Sequence, residues 1–246
     1  VKGFENNSTI VELGSGYSEI PPLLAANFGK YNYYCLEFEQ KKLEVASKRK
    51  VGTFNRILVK SDLSRAILPF PDKSVDAILS IEFLEHIPKE SAVKLMKEIN
   101  RVLKENGTVM LTTPNANNSQ TIEAYHIFEW SYKDLSALIK MCGFEIVDAF
   151  GLNISENIRA LDKEFDQSKI YRCVRKYLPN QITKAVFSLD KPEKSRAVGF
   201  VFRKIGVPKT EEIDKIDLSE SISLNENQQK RNEDWKRKSE REKMDL

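Results

Sequence analysis

The sequence predicts an α/β fold in which a doubly wound, mostly parallel sheet of seven strands carries helices on both faces. Three observations favour this Rossmann-like architecture. Short apolar runs bounded by turn residues alternate with amphipathic helical stretches along most of the chain. The first run ends in two closely spaced glycines, and the next two runs each end in an acidic residue. Ligand-binding groups gather in this way at the carboxyl ends of strands in open parallel sheets.

The predicted elements follow one another along the chain. Strands are expected over residues 9–14, 31–38, 56–62, 75–81, 108–115, 144–152 and 195–204. Helices are expected over residues 20–28, 39–50, 91–107 and 131–143. The third helix is the clearest because its apolar residues recur with helical periodicity, and Gly107 is expected to end it.

A chain of 246 residues with a hydrophobic content of 41% can bury one substantial core. We therefore expect one main domain, predicted over residues 1–207. An insert at 153–194 separates the last two strands and carries basic residues at 169–176. Residues 208–246 are hydrophilic and predict a charged, flexible tail. The chain begins at Val1 almost directly with a strand, so we expect either a fragment or a chain without the preceding helices.

Composition narrows the class of protein. The net charge of +3 gives no global basic field for nucleic acid. Three widely spaced cysteines fit neither a disulfide framework nor a clustered metal site, and indicate a reducing, cytoplasmic setting. No apolar run approaches the roughly 18 residues of a membrane-spanning helix, and no signal pattern opens the chain. These features predict a soluble cytoplasmic protein without a membrane partner.

The stretch VELGSG at 11–16 places Gly14 and Gly16 where a ligand can approach the backbone closely. Glu37 ends the second strand at the position where a carboxylate can accept from ribose hydroxyls, and Asp62 ends the third. A lone glycine turn is weak evidence, but three adjacent strand ends together predict an adenosine-binding crevice. A dinucleotide oxidoreductase competes with this interpretation, although the usual third glycine is replaced by Tyr17 and Ser18.

Four stretches resemble the motifs of class I S-adenosylmethionine-dependent methyltransferases, over about residues 8–152. They are VELGSG, CLEFE, SDL and LPFPDKSVDAILSIEFLEHI. The resemblance implies that S-adenosylmethionine is the cofactor and that Glu12 orients its methionine portion through the glycine turn. It further implies cofactor-binding roles for Gly14, Gly16, Glu37, Asp62, Leu63 and Ser80. Ser18 departs from a glycine that is frequent in that family.

The stretch SIEFLEHI at 80–87 sets Glu82, Glu85 and His86 side by side. If this segment turns helically, the three side chains share one face next to the methyl donor. They can be residues that stabilise the fold, or His86 or Glu82 can be a general base that deprotonates an acceptor. They can also hold Mg²⁺, Mn²⁺ or Zn²⁺, which would lower the pKa of an acceptor hydroxyl.

His126 is the second of only two histidines and follows the fifth strand, so it is expected to open into the same crevice. The pattern EFLEH followed by H-x-FEW resembles metal-assisted 2′-O-methyltransferases that act on the 3′ ends of small RNAs. That local resemblance places Glu82, Glu85, His86 and His126 at the matching metal-ligand positions. Ubiquinone-pathway O-methyltransferases share the Glu-x-x-Glu-His pattern, so the acceptor stays open. A packing role for His126 is the alternative to ligation.

The function predicted from the sequence is methyl transfer from S-adenosylmethionine to a hydroxyl oxygen of a small-molecule acceptor. Glu82, Glu85, His86 and His126 are the predicted catalytic residues. A metal-assisted RNA 2′-O-methyltransferase is the first alternative, for which the basic residues at 169–176 could bind phosphate. A cofactor-binding module without catalysis, which binds a protein partner through its charged tail, is the second.

Overall fold

The computed structural model describes residues 6–20, 31–49, 55–118, 125–152, 180–213 and 215–223. Nine strands are present in that part of the chain: β1 (Thr9–Leu13), β2 (Asn32–Glu37), β3 (Asn55–Lys60), β4 (Val75–Ile81), β5 (Leu103–Pro114), β6 (Phe128–Glu129), β7 (Phe144–Leu152), β8 (Ala197–Lys204) and β9 (Ile222–Ser223). The α-helices are α1 (Gln40–Ser47), α2 (Lys89–Val102), α3 (Tyr132–Met141), α4 (Asn180–Asp190) and α5 (Thr210–Ile213).

Seven strands form the main sheet in the order β3-β2-β1-β4-β5-β8-β7. The first five strands pair in parallel, and β8 runs antiparallel to both of its neighbours. Strand order reverses beside β1, because β2 lies on one side of it and β4 on the other. Open sheets bind ligands at such a reversal, outside the carboxyl ends of the strands. The predicted seven-stranded, mostly parallel sheet is confirmed.

Apolar side chains are buried on both faces of the sheet, as the near-continuous apolar runs predicted. Val11 and Leu13 belong to the larger core, whereas Ile10 belongs to a smaller cluster with Tyr33 and Cys35. Successive residues of a strand point to opposite faces, so the two clusters lie on opposite sides of the sheet. Helix α2 packs into the larger core through its buried apolar stripe, which consists of Ala92, Leu95, Met96, Ile99 and Val102. None of the helices in the described residues is long and apolar enough to cross a membrane.

The prediction that the third helix extends to Gly107 is wrong. Helix α2 ends at Val102, and β5 begins at the next residue. Val75 pairs with Leu103, but Ala77 pairs with Thr108, so residues 104–107 form an irregular excursion at the start of β5. Asn106 adopts a φ of 63° within it, a left-handed conformation that Asn tolerates better than most residues. An Asn-Gly pair is a turn signal that the helical periodicity obscured.

The predicted tail from Pro208 is wrong for its first part. Ile213 and Leu218 are buried in the larger core, and β9 pairs with β6. Ser221 donates from its hydroxyl and from its backbone N–H to the buried Asp134 at 2.7 and 2.8 Å. Two buried apolar residues, a strand pairing and these hydrogen bonds attach this hydrophilic stretch to the domain. Residues 224–246, the rest of the predicted tail, lie outside the described residues. Residues 153–179, which include the basic residues of the insert, also lie outside them. The described part of the insert consists of α4 and the segment that follows it.

Truncating Leu218 should test whether this C-terminal segment is part of the domain. We expect Leu218→Ala to lower the free energy of unfolding by about 2 kcal/mol, because it removes buried methyl groups and leaves a cavity. Val207→Ala is the matched control, since Val207 is 78% exposed and should change stability by less than about 0.5 kcal/mol. Urea unfolding measures both values. Equal midpoints for the two variants would show that the segment does not contribute to the core.

Candidate active site

A glycine turn links β1 to the crevice. Gly14 and Gly16 have φ angles of 66° and 53°, in the left-handed region where a Cβ is strained. A Cβ on Gly14 would lie 2.3 Å from the ring of Phe83, whereas a Cβ on Gly16 would meet no atom within 4 Å. The backbone at Gly16 therefore borders open space, and Gly14 makes room for the aromatic residue that follows β4.

Glu37, at the end of β2, holds this turn in place. Its buried carboxylate accepts a hydrogen bond from the backbone N–H of Gly16 at 2.8 Å. The other carboxylate oxygen accepts from the N–H groups of Phe38 and Glu39, each at 2.9 Å. Three of its roughly four lone-pair positions are thus used by the backbone. The carboxylate is fixed beside the turn and keeps capacity for a further donor.

Glu12 lies beneath the turn and is buried in β1. The hydroxyl of Tyr33 donates to its carboxylate at 3.1 Å, and the Cys35 thiol lies 3.9 Å away. Burial raises the pKa of Glu12 to about 7, although the Tyr33 hydrogen bond opposes this shift. The Ser18 hydroxyl lies 3.3 Å from the Cys35 sulfur, and Ser18 has a φ of 56°. Serine here takes the left-handed conformation for which the frequent glycine would be suited.

The buried Glu12 should make stability depend on pH. Its pKa is higher in the folded than in the unfolded protein. The contribution of Glu12 to stability is therefore complete below about pH 4.5 and is lost as pH rises through about 7. The loss is on the order of 3 kcal/mol. In the ligand-free protein, the melting temperature of Glu12→Gln minus that of the wild type should therefore be larger at pH 8 than at pH 5. The exposed Glu211→Gln is the control, and an equal pH response in both variants would contradict this account.

Asp62 and Ser80 occupy the ends of the neighbouring strands. Asp62 caps a short 3₁₀ turn and accepts from the backbone N–H of Ser64 at 3.1 Å and from its hydroxyl at 2.5 Å. These bonds, chiefly the one from the hydroxyl, lower the pKa of Asp62. Leu63 is buried under this turn. Ser80 is also buried, and its hydroxyl has no hydrogen-bond partner among the described residues. The predicted adenine and methionine contacts of these residues stay predictions.

A cluster of ligand-type side chains lies after β4. One oxygen of Glu85 and one ring nitrogen each of His86 and His126 all lie within 4.8 Å of one another. The backbone N–H of Ile127 donates to the carbonyl of Glu85 at 2.7 Å, which ties the two segments together. Glu82 is not part of this cluster: it precedes the turn with a φ of 46°, and its N–H donates to the Thr112 carbonyl at 3.0 Å. The expected helix is a single 3₁₀ turn, Leu84–His86.

The protonation of the cluster follows from its burial. Glu85 is 1% exposed, and desolvation together with the nearby Glu82 raises its pKa to about 8, although Thr113 donates to it at 2.9 Å. The pKa of Glu82 is also raised, chiefly by desolvation, although the residue as a whole is exposed. Burial lowers the pKa of His86. At neutral pH the cluster therefore contains a neutral imidazole and a carboxyl group that holds its proton tightly.

Hydrogen bonds orient both imidazoles. Nδ1 of His86 lies 3.2 Å from the Tyr125 carbonyl oxygen, which can only accept, so Nδ1 donates and Nε2 has the lone pair. Nδ1 of His126 lies 2.8 Å from a carboxylate oxygen of Glu129. The two rings pack edge to face with centroids 5.2 Å apart. In each histidine a hydrogen bond at Nδ1 therefore fixes the orientation of the ring.

Comparison with known proteins agrees with this arrangement. Residues 11–111, which include the glycine turn, Glu37 and the segment after β4, match the family model described as a methyltransferase domain. This match covers fewer than half of the residues of the chain and coincides with the motifs that resemble class I S-adenosylmethionine-dependent methyltransferases. The sequence-based resemblance to this family is confirmed.

Curated relatives of this chain align with part of its length. A Mycolicibacterium smegmatis protein named "Probable S-adenosylmethionine-dependent methyltransferase" is 28% identical over 102 residues, which cover 39% of this chain and 39% of that protein. A Mycobacterium tuberculosis protein of the same name is 30% identical over 102 residues, covering 39% of this chain and 36% of the relative. The matched region thus spans less than half of these curated relatives.

Solved structures share the fold over most of the chain. A Haloferax volcanii protein in complex with the Trm112 methyltransferase activator covers 83% of this chain and 85% of its own, with 16% identity and a TM-score of 0.58. An Archaeoglobus fulgidus S-adenosylmethionine-dependent methyltransferase covers 82% and 88%, with 18% identity and a TM-score of 0.57. The [4+2]-cyclase SpnF covers 82% and 77%, with 18% identity and a TM-score of 0.56. Likeness at this level establishes the fold alone.

The residues of the crevice beside β1 and β2 fit S-adenosylmethionine. Gly16 exposes its backbone to open space, and Glu37 keeps acceptor capacity for a hydroxyl. Three contacts escaped the sequence analysis: the ring of Phe83 on Gly14, the Thr113 hydroxyl on Glu85, and the Glu129 carboxylate on His126. Only the last had a readable signal, because His126 and Glu129 stand three residues apart in a short, apolar segment.

Proposed function

We propose that this methyltransferase transfers the methyl group of S-adenosylmethionine to a hydroxyl oxygen of an acceptor. The observation that supports this proposal is the Glu85, His86 and His126 cluster, whose reactive atoms lie within 4.8 Å of one another. The cluster adjoins the cofactor turn, since Phe83 stands two residues before Glu85 in the chain and its ring packs on Gly14. Groups that can remove a proton therefore lie beside the predicted methyl donor.

In this proposal the first three strand ends bind the cofactor. Gly14 and Gly16 admit its methionine portion, Glu37 accepts from the ribose hydroxyls, and Asp62 with Leu63 flanks the adenine. Glu12 keeps the turn in place from below. When bound, S-adenosylmethionine supplies an electrophilic methyl group on a sulfonium. The protein contributes mainly alignment, because holding two reactants in attack geometry removes much of the entropic cost of their encounter.

Proton removal is assigned to the cluster. The acceptor oxygen attacks the methyl carbon, the carbon–sulfur bond breaks, and the hydroxyl proton passes to Nε2 of a neutral imidazole. His86 suits this role because its lowered pKa keeps it unprotonated at neutral pH. Its Nε2, the nitrogen with the lone pair, lies 3.9 Å from a Glu85 oxygen and so belongs to the cluster. A small-molecule alcohol or phenol is the acceptor that we propose first.

A second candidate is metal-assisted methylation of an RNA 2′-hydroxyl. Two imidazole nitrogens and a carboxylate oxygen in one cluster, Glu85, His86 and His126, favour it. This donor set suits Zn²⁺ or Mn²⁺ better than Mg²⁺, which prefers oxygen ligands. A cation there would make a nearby hydroxyl more acidic. Glu82, the fourth predicted ligand, lies outside the cluster.

Label transfer from S-adenosylmethionine with a tritiated methyl group separates the two candidates. The acceptors are a panel of phenols and alcohols, a short RNA with a terminal 2′-hydroxyl, and the same RNA ending in a 2′-deoxynucleotide. Labelled phenol or alcohol, unaffected by a chelator, supports the first candidate. Labelled RNA that requires Mn²⁺ and the terminal 2′-hydroxyl supports the second. Equal label in both RNAs would contradict 2′-hydroxyl methylation.

A further inference from the structure

Glu129 is a fully buried acidic residue, although acidic side chains usually lie at the surface. The residue is 0% exposed, in the two-residue strand β6. One carboxylate oxygen lies 2.8 Å from Nδ1 of His126, and the other has no hydrogen-bond partner among the described residues. Burying an incompletely paired carboxylate is costly, so packing alone does not account for it. Its one strong contact is with a histidine of the cluster.

The segment that carries this pair is held on several sides. Glu129 pairs with Ile222 of β9, and Trp130 forms a bridge with Asn115 just after β5. Ile127 donates to the carbonyl of Glu85. His126 is 6% exposed and packs on the ring of His86. The ring of His126 therefore has little freedom to turn, and what Glu129 adds is control over which ring nitrogen carries the proton.

We propose that Glu129 is a positioning residue that fixes the tautomer of His126. An ionised carboxylate can only accept a hydrogen bond, so the nitrogen facing it, Nδ1, must carry the proton. Nε2 then keeps its lone pair for the proton of an acceptor or for a cation. Carboxylates that orient imidazole ligands in this way commonly change activity or metal affinity about 10- to 100-fold when they are replaced.

Glu129→Gln is the informative change because it preserves size. A glutamine amide can donate to Nδ1, which would move the ring proton to Nε2 and remove the lone pair from the cluster. This inference rests on the proposed function only for the role of His126 in turnover. We expect turnover to fall about 10- to 100-fold with unchanged cofactor binding. Glu129→Asp, which keeps an acceptor-only group, should retain the original tautomer.

Nitrogen NMR of the ring tests the tautomer without any acceptor. The chain has only two histidines, so histidine-selective ¹⁵N labelling gives two rings, and His86→Gln assigns them. At pH 8.5, ligand-free wild-type protein should show His126 protonated at Nδ1 and bare at Nε2. In Glu129→Gln the proton should appear at Nε2.

The buried Asp134→Asn is the matched control, because Asp134 bonds to Ser221 and should change stability without moving the His126 proton. A wild-type His126 protonated at Nε2, or at both nitrogens, would overturn the inference even if the Gln variant fails to fold. An unchanged tautomer in Glu129→Met, which removes the carboxylate and offers no amide oxygen in its place, would overturn it as well. Absent methyl transfer with the expected tautomer would instead count against the proposed function.

Discussion

Replacing His86 or His126 by alanine is expected to lower the rate of methyl transfer about 10²- to 10⁴-fold, the range that a positioned acid or base contributes. Affinity for S-adenosylmethionine should change little, because neither ring is part of the glycine turn or of its Glu37 support. Glu85→Ala should reduce turnover similarly, whereas Glu82→Ala should have a smaller effect, since Glu82 lies outside the cluster. Label transfer to the acceptor found for the wild type measures turnover.

Glu90→Ala is the control for these variants, because it removes an exposed carboxylate in the first turn of α2, close in sequence to His86. Cofactor affinity measured on the same samples separates a loss of chemistry from a loss of binding. If the His86, His126 and Glu85 variants all turn over at the wild-type rate, the assignment of acceptor activation to this cluster is wrong.

The second large effect is expected at Glu37. Its carboxylate accepts from three backbone N–H groups around the turn, so Glu37→Ala should remove both the ribose acceptor and the support of Gly16. We expect affinity for S-adenosylmethionine to fall by at least about 100-fold, since each hydrogen bond to a charged group contributes roughly 1.5–3 kcal/mol. Turnover in the presence of subsaturating cofactor should fall with it.

The stabilisation of the protein by S-adenosylmethionine measures this effect. A bound cofactor raises the melting temperature of the wild type, and Glu37→Ala should abolish that rise. Glu37→Gln, which keeps the size of the side chain, guards against a simple folding defect. Glu44→Ala, an exposed change in α1, should melt and respond like the wild type. A full cofactor-induced rise in Glu37→Ala would contradict the predicted crevice.

The sheet could be predicted from the sequence because its signals are local. β1 and β2 are apolar runs ended by a glycine and an acid, and the bounds of β4 and β7 agree with the prediction to the residue. Boundaries failed where two signals competed, as at Asn106, where an Asn-Gly turn cut off a helical pattern. The docking of 208–223 was missed because Ile213 and Leu218 are only two buried residues in a polar stretch.

The same distinction between local sequence signals and long-range contacts applies to the candidate site. Family motifs named the residues at the strand ends, but not that Glu37 binds the Gly16 N–H or that Phe83 packs on Gly14. Glu82 was grouped with Glu85 and His86 on the assumption of a helix. The backbone at Glu82 is left-handed and its N–H donates to Thr112, so Glu82 is not in the helical geometry that this grouping assumed. Long-range contacts of this kind depend on packing, which local sequence does not encode.

Calorimetric titration of the purified, folded wild-type protein with S-adenosylmethionine tests the central claim most directly. The account predicts saturable binding at one site per chain, with and without added Mn²⁺, because the crevice at the ends of β1, β2 and β3 does not depend on a cation. Absence of binding heat at two temperatures, from protein shown to be folded by its cooperative melting, would contradict the assignment of this crevice to the methyl donor.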